Sequence, residues 1–210
     1  MLENYIKQNN GVIKQVDIKN KINYDFNYVN NSYNFYGEKT NYMSYLRLGY
    51  LIGTIGYIPN TILDVGYGNG NFLKTCSEII PNCYGNDIND YKLPKTVKYV
   101  SDILSEKYEV ITFFDSLEHF ENIDFIKDLK CDFIMISLPW CTYESDEWFE
   151  DWKHRRPDEH IYHFNEISLE NFMKENGYQL INFNNIEDTI RKSNSKKNIL
   201  TGVFKKNVDK

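Results

Sequence analysis

The sequence predicts an α/β fold built on a mostly parallel sheet whose C-terminal edge runs antiparallel. Three observations carry this. Thr61-Ile62-Leu63-Asp64-Val65 holds the short apolar run that a strand buried on both faces needs. Glycines at 66, 68 and 70 follow at once, with a helical stretch, 71–80, behind them. Strand-like and helix-like segments then alternate through residue 140, the pattern of parallel strands joined by right-handed crossovers. The two closing strand-like runs, 178–183 and 198–204, have no helix between them and read as an antiparallel edge.

At 210 residues one domain is the natural expectation, with enough chain to bury a core. Hydrophobic residues at 41% and charged residues at 26% fit a soluble globular protein. The net charge of −6 argues against a dominant sequence-independent grip on nucleic acid, which needs a basic face. Cys76, Cys83, Cys131 and Cys141 lack any C-x-x-C spacing and sit in or beside apolar runs, so buried free thiols in a reducing compartment are expected. The start of the chain has no basic stretch leading into an apolar core, so no signal peptide is read. The longest apolar stretch, 50–58, contains two glycines and is too short to span a bilayer. A cytoplasmic protein with no membrane partner is the expectation.

Residues 1–40 are rich in Asn, Tyr and Lys and read as an N-terminal appendage to a domain over 41–210. Val12, Ile13, Val16 and Ile18 fit one irregular strand, and Tyr24, Phe26 and Tyr28 alternate like another. The appendage is either a cover for the active-site mouth or a surface arm. Met43, Leu46, Tyr50, Leu51 and Ile55 recur at helical spacing over 41–56. Further strands are expected at 83–88, ending on Asp87 and Ile88, at 97–100, 108–114 and 131–138. Pro139 stops the ladder where the chain leaves the fifth strand. The run 141–163 is too polar and irregular for a core element and too aromatic for a linker, so 140–165 reads as a substrate or lid insertion. A helix over 168–175 closes on Asn176-Gly177. Arg191 to Lys197 reads as a charged hairpin-type loop, and the tail beyond Lys205 as frayed.

A strand turning sharply into a helix leaves backbone N–H groups unpaired, and glycines let a ligand approach them without a Cβ in the way. The third glycine comes one residue too early for a dinucleotide fingerprint. The form Asp64-x-Gly66-x-Gly68-x-Gly70 resembles motif I of the class I S-adenosylmethionine (SAM) methyltransferases, small-molecule type. Leu46-Arg47-Leu48-Gly49-Tyr50 is similar to the Arg-Leu segment of the ubiquinone-biosynthesis O-methyltransferases. Asp115-Ser116-Leu117-Glu118-His119 resembles the Asp-x-Leu-Glu-His signature of the small-molecule enzymes. Together these cover residues 46–140 in the family's order.

The resemblance implies a Rossmann-like seven-stranded sheet, mostly parallel, with helices on both faces. It implies SAM as cofactor and S-adenosylhomocysteine as product. Asp64, Gly66, Tyr67, Gly68 and Gly70 would wrap the methionyl and ribose parts, and Arg47 would pair with the SAM carboxylate. Asp87, followed by Ile88, would accept from both ribose hydroxyls. Asp102, with Ile103, would reach toward the adenine amino group, and Phe114, Asp115 and Ser116 would flank the transferable methyl. Helix or turn capping competes for Asp87 and Asp102, and structural pairing for Arg47.

The implied activity is methyl transfer to a small-molecule acceptor, a hydroxyl of a sugar or another metabolite. A general base for such a hydroxyl is sought among His160, foremost, and His119 and His163. Glu159-His160-x-x-His163 is too thin a pattern for zinc, and no metal is expected. Arg155 and Arg156 either grip an anionic acceptor or form a solvated basic turn. A nucleic-acid methyltransferase is the alternative within the enzymes, weakened by the acidic charge and by Asp115-Ser116-Leu117-Glu118 in place of an Asn/Asp-Pro-Pro-Tyr/Phe motif. A non-catalytic SAM-binding partner subunit is the alternative outside them.

Overall fold

The computed structural model describes residues 3–20, 39–89, 91–191 and 197–207. The chain opens with β1 (Tyr5–Lys7) and β2 (Ile13–Gln15), then α1 (Lys39–Ile55), β3 (Thr61–Val65), α2 (Asn71–Cys76) and β4 (Asn82–Asn86). There follow β5 (Val97–Tyr99), β6 (Tyr108–Phe114), β7 (Cys131–Pro139), α3 (Asp146–Asp151) and β8 (Tyr162–His163). The last part holds α4 (Glu166–Glu175), β9 (Tyr178–Asn184), α5 (Asp188–Arg191) and β10 (Ile199–Lys206). The proposed alternation at Tyr24, Phe26 and Tyr28 lies outside the described residues.

Seven strands make one sheet in the order β5-β4-β3-β6-β7-β10-β9. The first five pair in parallel, and β10 runs antiparallel to both β7 and β9. The strand that opposes the sheet therefore lies one place in from the edge, which β9 occupies. This is the expected sheet, and each strand's alternation explains how it is held. On β3, Leu63 and Val65 join one apolar cluster and Ile62 the other. On β7, Ile134, Ile136 and Leu138 face the first cluster, Phe133 and Met135 the second. Leu169, Phe172 and Met173 of α4 cover the first face. Leu48 and Leu51 of α1 and Phe72 and Leu73 of α2 cover the second. Each such side chain contributes about 1.5–3 kcal/mol on burial.

Two connections differ from the expected helices. The α2 helix stops at Cys76, short of residue 80; the chain runs on through a turn to Ile80, where Pro81 disfavours any further helix. Between β6 and β7 the chain forms 3₁₀ turns, Leu117–His119 and Asp124–Asp128. Ile123, Ile126 and Leu129 are all buried there, and a three-residue spacing suits the 3₁₀ period better than the α period.

The run 141–163 carries more core than its polarity suggests. Phe149 on α3 is fully buried and packs with Tyr5, Ile13 and Cys141. Its apolar partners come from the N-terminal hairpin, where β2 pairs β1 on one side and β8 on the other. The base of the segment is pinned at both ends: Cys141 N–H donates to Phe164 O at 2.8 Å, and Trp140 Nε1 to Glu166 Oε2 at 2.7 Å. All four cysteines are buried thiols.

Candidate active site

The parallel strands deliver their carboxyl ends to one edge, where the glycine turn leaves β3. Gly66, Gly68 and Gly70 all have positive φ (81°, 54° and 73°), which side chains with a Cβ rarely adopt. A Cβ on Gly66 would also stand 2.6 Å from the Ser116 Cβ. Ser116 reaches that position because its Oγ donates to Val65 O at 2.7 Å, tying the β6 exit to the end of β3. Gly66 N–H donates to Asn86 O at 2.7 Å, and the Tyr67 hydroxyl donates to Tyr91 O at 2.8 Å. The turn is thereby fixed from both neighbouring strands.

Asp87 stands beside this turn. Its Oδ2 accepts from Gly68 N–H at 2.9 Å and its Oδ1 from Asn89 N–H at 2.9 Å. Ile88 next to it is 81% exposed. Asp102 is exposed, and its Oδ1 accepts from Leu104 N–H at 2.9 Å, an Asx turn; the half-buried Ile103 packs on the sheet core. Asp64 is buried, and Thr112 Oγ1 donates to its Oδ1 at 2.6 Å. Burial pushes its carboxyl up to about 7, against the pull of Thr112 and Arg47.

At the β6 exit two arginines face two carboxylates. Arg47 donates through Nε and Nη2 to the Glu187 carboxylate at 2.7 and 2.9 Å, with Asp115 Oδ2 at 3.4 Å from Nη2. Its guanidinium lies 4.1 Å from the Phe114 ring centroid. Arg191 pairs with Asp115 and, at 2.9 Å, with Glu187. The fork that the resemblance assigns to a ligand carboxylate is thus engaged by Glu187. Burial raises the Asp115 carboxyl, yet Arg191 and Arg47 outweigh it and hold the group down at about 2. Burial likewise raises Glu187 and the same arginines override it. Asp115 also has a φ of 49°, an uncommon left-handed residue directly after the strand. Sequence reading missed Glu187 and Arg191, although an acid and an arginine four apart are a signal for a charged helical turn.

The β6 exit also meets the 140–165 segment. Ile161 N–H donates to Glu118 O at 2.8 Å, and the His119 and His160 rings stand edge to face with centroids 4.7 Å apart. His160 Nδ1 bonds His154 O at 2.8 Å. Burial, then His119, His163 and Arg156, push His160 down to about 2. Burial and then Arg155 push His163 down to about 3; its ring packs on Tyr5, Phe149 and Trp152, away from His119. His119 is lowered by burial as well. Glu118 is 1% exposed, and burial followed by Asp115 raises its carboxyl well above the usual range. Arg156 pairs with Glu159, while Arg155 lies over the Tyr5 and Phe149 rings.

Residues 50–182 match a family model described as a methyltransferase domain. No curated protein matches the chain in sequence. Among solved structures, an S-adenosylmethionine-dependent methyltransferase from Clostridium acetobutylicum is 12% identical, with a TM-score of 0.60 over 85% of this chain and 99% of that one. The plantazolicin methyltransferase BpumL, solved with a desmethyl-plantazolicin analogue and S-adenosylhomocysteine, is 15% identical (TM-score 0.59, 87% of this chain and 90% of that one). Magnesium protoporphyrin IX methyltransferase from Synechocystis, solved with S-adenosylhomocysteine, is 13% identical (TM-score 0.58, 90% of each chain). At such identities the likeness speaks for the fold. With the family model covering most of the glycine turn, the sheet and the β6 exit, the chain belongs to the class I SAM-dependent methyltransferases.

Proposed function

We propose that the chain methylates a hydroxyl of a small-molecule acceptor, a sugar or another metabolite, held between the β6 exit and the 140–165 segment. The observation that carries this reading is the junction of those two parts at Glu118–Ile161 and His119–His160. The segment leaves β7 at the edge where sheet-end ligands sit. The acidic charge supports a small acceptor over a polyanion. Two neighbours solved with S-adenosylhomocysteine are named for plantazolicin and magnesium protoporphyrin IX, which lends support to an acceptor other than nucleic acid without naming its group. Four buried thiols fit a reducing cytoplasm.

The cradle suits SAM: three glycines at positive φ keep the turn free of Cβ atoms, and Asp87 stands next to it. In this reading Gly66, Tyr67, Gly68 and Gly70 line the methionyl and ribose parts, with Asp64 bracing the turn from beneath. Asp87 accepts from the ribose hydroxyls, Ile88 and Ile103 border the adenine and Asp102 meets its amino group. Phe114, Asp115 and Ser116 border the methyl, and Arg47 with Arg191 fixes the charge around the carboxylate end. SAM, when bound, supplies an activated methyl on a sulfonium. The chain's own task is to hold the acceptor oxygen in line with it and to exclude water. His119 and His160 are kept neutral, so they offer lone pairs to the acceptor's proton; His163 supports the segment.

Calorimetry with SAM and S-adenosylhomocysteine tests the reading. We expect micromolar affinity for both, roughly −8 kcal/mol. Asp87→Ala should lower it at least tenfold with the fold intact, since it removes charge-assisted bonds worth about 1.5–3 kcal/mol each. Absence of binding to either ligand, or unchanged affinity in the variant, would overturn the assignment.

A further inference from the structure

We propose that Glu118, His119 and His160 form a binding site for one first-row divalent transition ion at the exit of β6. A carboxylate oxygen and one nitrogen from each ring lie within 4.8 Å of one another. Such a separation closes to ligand distance by small side-chain rotations. A carboxylate and two histidines are not a common surface accident, and these three come from two different parts of the chain.

A second observation points the same way. Both Glu118 oxygens are fully buried and meet no hydrogen-bond donor from any other described residue, the carboxyl being approached only by its own backbone N–H; His119 Nε2 is 3.9 Å from Oε1, beyond hydrogen-bond reach. A buried carboxyl left in this state is expensive whether or not it is ionised, and native interiors seldom contain one. A cation satisfies it directly. The His160 ring is already set for the task. A carbonyl oxygen can only accept, so the 2.8 Å contact with His154 O places the ring proton on Nδ1 and leaves the lone pair on Nε2. A backbone carbonyl behind a ligand imidazole is the usual way in which proteins fix its tautomer and orientation. His119 is held in turn by the backbone of Glu159.

The ligand set selects the ion class. Two imidazoles with one carboxylate suit manganese through zinc and not calcium or magnesium, which favour all-oxygen shells. Three protein ligands leave positions open for an exogenous oxygen. Binding stands independently of what the acceptor is. Only its use rests on the function proposed above: with the ring lone pairs taken up by the ion, the acceptor hydroxyl would be drawn to the ion and lose its proton more easily there, in place of direct transfer to an imidazole.

The test uses the full chain, stripped by chelator, with Zn²⁺ followed by calorimetry and Co²⁺ by its visible absorption. One ion should bind per chain with micromolar or tighter affinity, with a rise in Tm and a Co²⁺ spectrum typical of mixed nitrogen and oxygen ligands. Glu118→Gln and His160→Gln should each weaken binding at least tenfold. Should Glu118→Gln fail to fold, His119→Gln, on a side chain with some exposure, carries the same arm. Wild-type protein that is folded and takes up neither ion, or variants that bind as tightly as wild type, would overturn the site. SAM calorimetry on the same preparations separates the two ideas: SAM binding without metal sinks this proposal alone, and metal binding without SAM sinks the cofactor assignment alone.

Discussion

Asp64 follows two hydrophobic residues in the middle of a buried strand, and sequence alone marks it only as part of a motif. The fold surrounds its carboxyl on all sides and leaves it one good donor, Thr112. With a folded value near 7 against an ordinary one near 4, the native state holds a proton that the unfolded chain has lost between those pH values. The sign follows: the native state is favoured at the acid end, and stability falls as pH rises from about 4 through about 7. Fully buried, the group accounts for on the order of 2–4 kcal/mol across that window. Asp64→Asn keeps the acceptor for Thr112 and has no charge to form. Urea denaturation of both proteins at pH 5 and pH 8 should show the variant gaining on wild type at pH 8. A gap that does not change with pH would show that Asp64 is charged in the native state.

At the scale of elements, α1, α5 and the β6 exit are fastened by charges as well as by apolar contact. Glu187 has no exposed side-chain surface and shares Arg47 and Arg191 with Asp115. Removing one partner of such a group leaves a buried charge short of compensation, at a cost of about 3–5 kcal/mol. Arg47→Met should therefore fall near the low end of that range, because Arg191 still reaches Glu187. It should also weaken SAM, since α1 then loses its anchor to the β6 exit. Thermal melting and calorimetry on one preparation check both effects; a variant with wild-type Tm would show that the pair is idle. This network explains what the sequence could and could not tell. Glycines 66, 68 and 70, Asp87 and the 115–119 run were legible because each is a local pattern tied to a strand end. Glu187 lies 140 positions from Arg47 and 72 from Asp115, and no local pattern records which carboxylate meets which arginine. The histidines posed the same difficulty. His160 and His163 look alike three residues apart, but one faces the β6 exit and the other an aromatic pocket.

Across the whole molecule the sheet was readable strand by strand from its seven apolar runs, while their arrangement was what the family resemblance implied. The N-terminal residues were harder, because their hydrophobic partners, Phe149 and Cys141, are far along the chain. The thiols offer a test of the whole packing. Burial pushes Cys83 and Cys131 up to about 11 and Cys141 to about 12, so none is a ready nucleophile at neutral pH. A thiol reagent should therefore label native protein hundreds of times more slowly than the protein in urea, and rapid labelling of the native form would contradict the packing described.

The hairpin of β1 and β2 carries a last consequence, for biosynthesis. Its partner β8 is translated some 150 residues after it, and Asp158, whose Oδ1 and Oδ2 accept from the backbone N–H of Lys19 and Asn20, emerges equally late. The residues of β1 and β2 must therefore wait, with Tyr5 and Ile13 uncovered, until the 140–165 segment appears. During that interval the nascent chain exposes surface that a chaperone would recognise. A bulky fusion ahead of β1 would act at the same point, hindering the pairing of β2 with β8 while the glycine turn and strands β3 to β7 assemble behind it.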